Sequence, residues 1–136
     1  ILILFSLHQP IVNFICSFEG YSFKDCYGDV DIVLTKLIIF QKKLCSLFFI
    51  CKPLIENLYK NGVPYGNGED IFFSYISSLY FNKKNYCLKG IKFSELPQEN
   101  VAISNNKNHF NYRNNMCKHL QNNSKGFQKF INRINF

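Results

Sequence analysis

Apolar residues run almost without interruption over positions 1–7 and 11–18, separated by the turn-forming His8-Gln9-Pro10. Short runs rich in β-branched and aromatic residues predict two strands of one sheet, buried on both faces. Positions 19–29 are polar, carry Gly20 and Gly28, and read as a loop. A third strand is expected over 30–35, with Val30, Ile32 and Leu34 on one face. From Lys36 the period changes. Leu37, Phe40, Leu44, Phe48 and Cys51 share one helical face, with Lys42, Lys43 and Ser46 opposite, so an amphipathic helix spans 36–51. Pro53 ends or kinks it, and 54–58 makes a further short helix before Asn61-Gly62.

Gly62, Pro64, Gly66 and Gly68 then prevent regular structure, after which Phe72, Ile76 and Leu79 recur at three- and four-residue steps. A helix from Glu69 to about Phe81 follows, capped by Asn67 or Gly68. Residues 82–85 form a turn, 86–93 a strand, and 94–104 an irregular segment with Pro97. His109 and Arg113, then Met116 and Leu120, stand four apart and place a weaker helix over 109–120, with 121–136 fraying as a basic, Asn- and Lys-rich tail. Strands alternating with helices give an α/β class, a mixed sheet flanked by helices, with 1–120 as one domain.

Composition, charge and cysteine usage modify this picture. The chain of 136 residues carries a net charge of +7, but its cations are nearly all Lys, and its bias toward Lys, Asn, Ile, Phe and Tyr is one that AT-rich coding imposes on any protein. The charge is uneven: no acid occurs over 100–136, whereas Lys107, Arg113, Lys118, Lys125, Lys129 and Arg133 do, giving either a solvated basic end or a surface that meets phosphate. The 6 cysteines include no C-x-x-C pair, which removes zinc-finger and thioredoxin-like readings and leaves up to three disulfides open. No stretch reaches the about 20 apolar residues of a membrane-spanning helix. Asn122-Asn123-Ser124 fits the N-glycosylation pattern, a frequent chance match in an Asn-rich chain. The start at Ile1, in what reads as a strand under way, suggests a piece of a longer protein.

Three groups of residues are candidates for chemistry. Glu69 and Asp70 open a helix after a glycine-rich loop; acids there complement the helix dipole without further role, or place a carboxylate beside a cleft as a general base. Asp29-Val30-Asp31 is a D-x-D that can offer oxygen ligands to a divalent metal, although here the apolar strand follows the acids rather than leading into them. His109, Arg113 and Lys118 can meet a diphosphate, or stand as ordinary surface groups. Phosphate-loop, nucleophile-elbow, zincin and dinucleotide signatures are absent, and no cysteine has a histidine partner in a motif.

The order of these segments resembles the C-terminal part of the exostosin-like glycosyltransferase domain: Asp31-Ile-Val-Leu-Thr35, an apolar helix, Gly68-Glu69-Asp70-Ile-Phe-Phe73, a strand, then His109-Phe-Asn-Tyr-Arg113-Asn-Asn-Met-Cys117. The resemblance covers about residues 11–120, and its His-to-Cys spacing is one residue longer than the family's. It implies a partial GT-A fold, transfer of a sugar from a nucleotide-diphosphate donor to a carbohydrate or glycoprotein hydroxyl, and manganese as the metal. Carried onto this chain, Asp70 is the active-site carboxylate with Glu69 beside it, Arg113 approaches the donor diphosphate, and His109 shapes that end. The family's donor half and its metal-binding D-x-D would lie before residue 1. A eukaryotic exostosin-like protein would act in the Golgi or endoplasmic reticulum lumen, one of viral or other origin in the cytoplasm. The competing expectation is a non-enzymatic nucleic-acid-binding domain using residues 100–136, where Phe110, Tyr112, Phe127 and Phe130 interleave with the cations.

Overall fold

The computed structural model describes residues 16–17, 20–21, 28–33, 40–60, 67–87 and 107–134. Among these residues the strands and α-helices are, in order, β1 (Cys16–Ser17), β2 (Gly20–Tyr21), β3 (Gly28–Val30), α1 (Lys43–Cys51), α2 (Glu56–Lys60), α3 (Glu69–Phe81), β4 (Asn85–Cys87), α4 (His109–Asn122) and α5 (Ser124–Ile131). A 3-10 turn, Lys52–Ile55, with Pro53 in its first turn, joins α1 to α2. The described strands make two antiparallel pairs: β1 with β2, Cys16 opposite Tyr21, and β3 with β4, Asp29 opposite Tyr86. The class is therefore mixed helix and small sheet, loosely α/β. The expected strands over 1–7 and most of 11–18, and the expected irregular segment over 94–104, lie outside the described residues.

The organising element is α3. Ile71, Phe72, Ser74, Tyr75, Ile76 and Ser77 are all buried, so the helix is covered on most of its circumference, as a central helix must be. One side meets α1 through Leu44, Leu47 and Cys51, and the 3-10 turn through Ile55; another meets Met116, Cys117 and Leu120 of α4 and Phe127 and Ile131 of α5. The Phe72 ring lies 5.7 Å from Phe48 and 6.1 Å from Phe127, and Tyr75 meets Phe127 edge-on at 5.6 Å. Tyr75 also donates its hydroxyl to the Leu120 carbonyl at 3.2 Å, and burial pushes its phenol up to about 12. A smaller cluster of Val30, Val33 and Cys87 packs against Phe73.

Several expectations change. The helix expected from Lys36 starts at Lys43: Phe40 is 37 % exposed and precedes it, while 36–39 are outside the described residues. The third strand begins earlier than its apolar run, because backbone pairing to β4 accommodates Gly28 and Asp29 where the side chains gave no signal, and Ile32 and Val33 beyond it are both buried rather than alternating. Gly20–Tyr21, expected within a loop, pairs with β1. The frayed tail is instead helical. The boundary at 120 falls inside α4, and α5 turns Phe127 and Ile131 into the core. Cys45, Cys51, Cys87 and Cys117 are free thiols, so three disulfides do not form.

Asn85, wholly buried at the start of β4, ties the two clusters together. Its Nδ2 group donates to the Asp31 carbonyl at 2.7 Å, the Ser74 carbonyl at 3.0 Å and the Ser78 hydroxyl at 3.0 Å. Nearby, the Val33 N–H donates to the Ser74 hydroxyl at 3.1 Å.

Candidate functional site

α3 is entered through Gly68, whose φ of 109° is one that L side chains rarely adopt. Gly68 stands at the N-cap, and its carbonyl accepts the Phe72 N–H at 3.0 Å. It is also where α3 and α4 touch: a Cβ built on Gly68 would lie 3.2 Å from the Met116 methyl. Gly68→Ala is therefore expected to cost about 1–2 kcal/mol. Urea unfolding checks this, and an unchanged midpoint would show that the left-handed turn is not needed.

The two acids that follow separate at once. Asp70 Oδ2 accepts from Arg113 Nη2 of α4 at 2.7 Å, across 43 residues of chain, and its Oδ1 accepts the Ile71 N–H at 2.9 Å. The side chains of this ion pair are 13 % and 6 % exposed, so both charges are largely withdrawn from water. Glu69 turns the other way, its Oε1 accepting the Tyr59 hydroxyl of α2 at 3.1 Å. His109 lies one helical turn before Arg113, and its Nδ1 is buried without a hydrogen-bond partner among the described residues. Burial lowers the His109 pKa from its ordinary 6.5; the positive charge of Arg113 adds to this, while Asp70 pulls the other way.

A histidine held below its unfolded pKa stays neutral in the fold while the unfolded chain takes up a proton. Its contribution is thus complete above about pH 6.5 and is lost as pH falls through the lowered folded value. His109→Gln is expected to lose less stability between pH 7 and 5 than the parent chain, measured by urea unfolding at each pH. Parallel losses in the two proteins would remove His109 from the acid response.

No family model, curated protein or solved structure matches the chain. Asp70, Arg113 and His109 come together at the N-terminal ends of α3 and α4, with Glu69 adjacent but engaged by Tyr59. Lys118 is exposed further along α4. The D-x-D stands elsewhere: Asp29 is exposed on β3, and Asp31, just past it, pairs with Lys84 at 3.2 Å. Among the described residues no three His, Cys, Asp or Glu side chains gather to hold a metal, and Asp31 of the D-x-D faces the Lys84 ammonium.

Two participants carried no sequence signal for the site: Tyr59, which holds Glu69, and Met116, which supports Gly68. Asn67, named as a cap, is 1 % exposed and has an Oδ1 with no partner among the described residues. The aromatics expected to interleave with the basic surface divide: Phe110 is exposed, Tyr112 and Phe130 are half-buried, and Phe127 is in the core at 3 %. No described helix is long and apolar enough to cross a membrane.

Proposed function

We propose that this chain contributes the acceptor side of a glycosyltransferase, moving a sugar from a nucleotide-diphosphate donor to a carbohydrate or glycoprotein hydroxyl. One observation carries the reading. Asp70 and Arg113, the carboxylate and cation that the exostosin-like resemblance assigns to the reaction, meet at 2.7 Å although 43 residues separate them.

Two of the roughly four lone-pair positions of the Asp70 carboxylate are taken by Arg113 and the Ile71 N–H, which leaves acceptor capacity for a substrate hydroxyl. That hydroxyl oxygen forms the new bond to the anomeric carbon, its proton passes toward Asp70, and the bond from the anomeric carbon to the diphosphate oxygen breaks. Negative charge grows on the departing diphosphate, where the fixed guanidinium of Arg113 and the neutral His109 imidazole supply stabilising contacts. Manganese, implied by the resemblance, has no fitting ligand set among the described residues, and no step above passes through it.

The test is release of nucleoside diphosphate from a panel of nucleotide sugars with glycan acceptors, comparing the parent protein with Asp70→Asn. A positioned general base contributes about 10²- to 10⁴-fold, so a loss of that size with an unchanged circular dichroism spectrum is expected. Transfer that survives the substitution nearly intact would remove Asp70 from the reaction, and absence of transfer with every donor would remove the function itself.

A further inference from the structure

A groove of about 380 Å³ lies between the end of α4, α5 and the 3-10 turn after α1, lined by Leu54, His119, Gly126, Lys129, Phe130 and Arg133. It is distinct from the Asp70 site. His119 stands ten residues beyond His109 on α4, about 15 Å along a helix axis rising about 1.5 Å per residue. The two walls are tied together where His119 Nε2 approaches the Leu54 carbonyl at 3.3 Å. The floor is apolar, with Leu54 and Phe130 half-buried over the buried Phe127. The rim is cationic: Lys129 in the last turn of α5 and Arg133 in the turn that follows it are both exposed and make no ion pair among the described residues. No acid occurs in the sequence over 100–136 to neutralise them. At Gly126 the wall is bare, since an added Cβ would meet nothing within 4 Å.

We infer that this groove binds a small organic phosphate, the phosphate held between Lys129 and Arg133 and a flat apolar body resting on Phe130 and Leu54. Its size falls in the range of small-ligand sites, about 300–1,000 Å³, lined by apolar side chains with a few polar groups that fix orientation. An ammonium and a guanidinium lining one groove supply the charge-assisted donors a phosphate requires. A basic amphipathic helix such as α5 otherwise reads as a membrane-surface element. Here, however, Phe127 and Ile131 are each only 3 % exposed and packed in the core, and the remaining apolar residue of α5, Phe130, is half-buried in the groove wall, which leaves α5 no open apolar face to enter a bilayer. A single nucleic-acid strand needs stacking platforms in the open, whereas the groove offers Phe130 inside a concavity. The inference does not depend on sugar transfer.

Calorimetric titration of the whole chain with phenyl phosphate and with inorganic phosphate tests it. Phenyl phosphate should bind at least about tenfold more tightly than inorganic phosphate, because only it uses the apolar floor. Lys129→Ala combined with Arg133→Ala should weaken it about tenfold or more, and added salt should weaken it further. Gly126→Leu is the decisive variant: it favours the helix and fills the groove, so it should abolish phenyl phosphate binding with the thermal midpoint maintained or raised. Equal affinities for the two phosphates, binding that survives Gly126→Leu, no binding to either, or tight binding only to phosphatidic-acid vesicles or to a single-stranded oligonucleotide would each overturn the inference.

Discussion

Replacing Arg113 by Met is expected to lower the stability of the chain by about 3 kcal/mol, the low end of the cost of breaking a buried pair from one side. Met keeps much of the stem that packs beside α3 while removing the guanidinium. The loss therefore comes mainly from Asp70, which would remain largely buried with its Oδ2 facing no cation at 2.7 Å. The double change, Arg113→Met with Asp70→Leu, is expected to be less damaging than the two single changes added together, because neither charge is left stranded. Urea unfolding of the four proteins gives the coupling directly. Additive effects would mean that the pair does not hold α4 against α3, and the 2.7 Å contact would then be ascribed to function alone.

The other large effect is expected at Asn85→Asp. The Nδ2 group of Asn85 faces two carbonyls and a hydroxyl within 3.0 Å, and a carboxylate oxygen in its place would turn attraction at the carbonyls into repulsion inside a dry site. A cost of about 3–5 kcal/mol near neutral pH follows. The new acid would have its folded pKa raised above the unfolded value of about 3.9 by burial and by those acceptors. Its destabilisation should thus be smallest below that value and grow as pH rises toward the folded pKa. A variant as stable as the parent at pH 7, or one whose deficit does not shrink in acid, would show that Asn85 does not join β3, α3 and β4 as described.

Where local chemistry and packing agree, the elements could be read in advance. Glycines and Pro64 stop at Gly68, apolar residues then recur at helical spacing, and α3 runs from Glu69 to Phe81 as expected. The apolar face of α1 was visible through Leu44 and Cys51 for the same reason. By contrast, α5 is diluted by Ser124, Lys125, Gly126, Gln128 and Lys129, so its two anchors, Phe127 and Ile131, looked like isolated apolar residues. Only the waiting surface of Phe72 and Tyr75 makes them a helix face. Strands of two or three residues are too short to show an alternation, and Asp29 in β3 is set by its partner Tyr86 rather than by its own polarity. For the site, spacing placed His109 and Arg113 on one helix, but whether that helix approached Asp70, and that Glu69 would turn to Tyr59, depended on tertiary packing.

The thiols of the core have a consequence for how its openings can be timed. Cys51 and Cys117 are at most 1 % exposed and belong to the cluster shared by α1, α3 and α4, and burial pushes the Cys51 thiol up to about 11. Alkylating reagents attack the thiolate, which is scarce at Cys51 while the fold is closed. Modification there waits for the helices to part, so the slow arrival of label at Cys51 and Cys117 records how often the centre of the molecule comes undone, without denaturant and without a probe having to be built in.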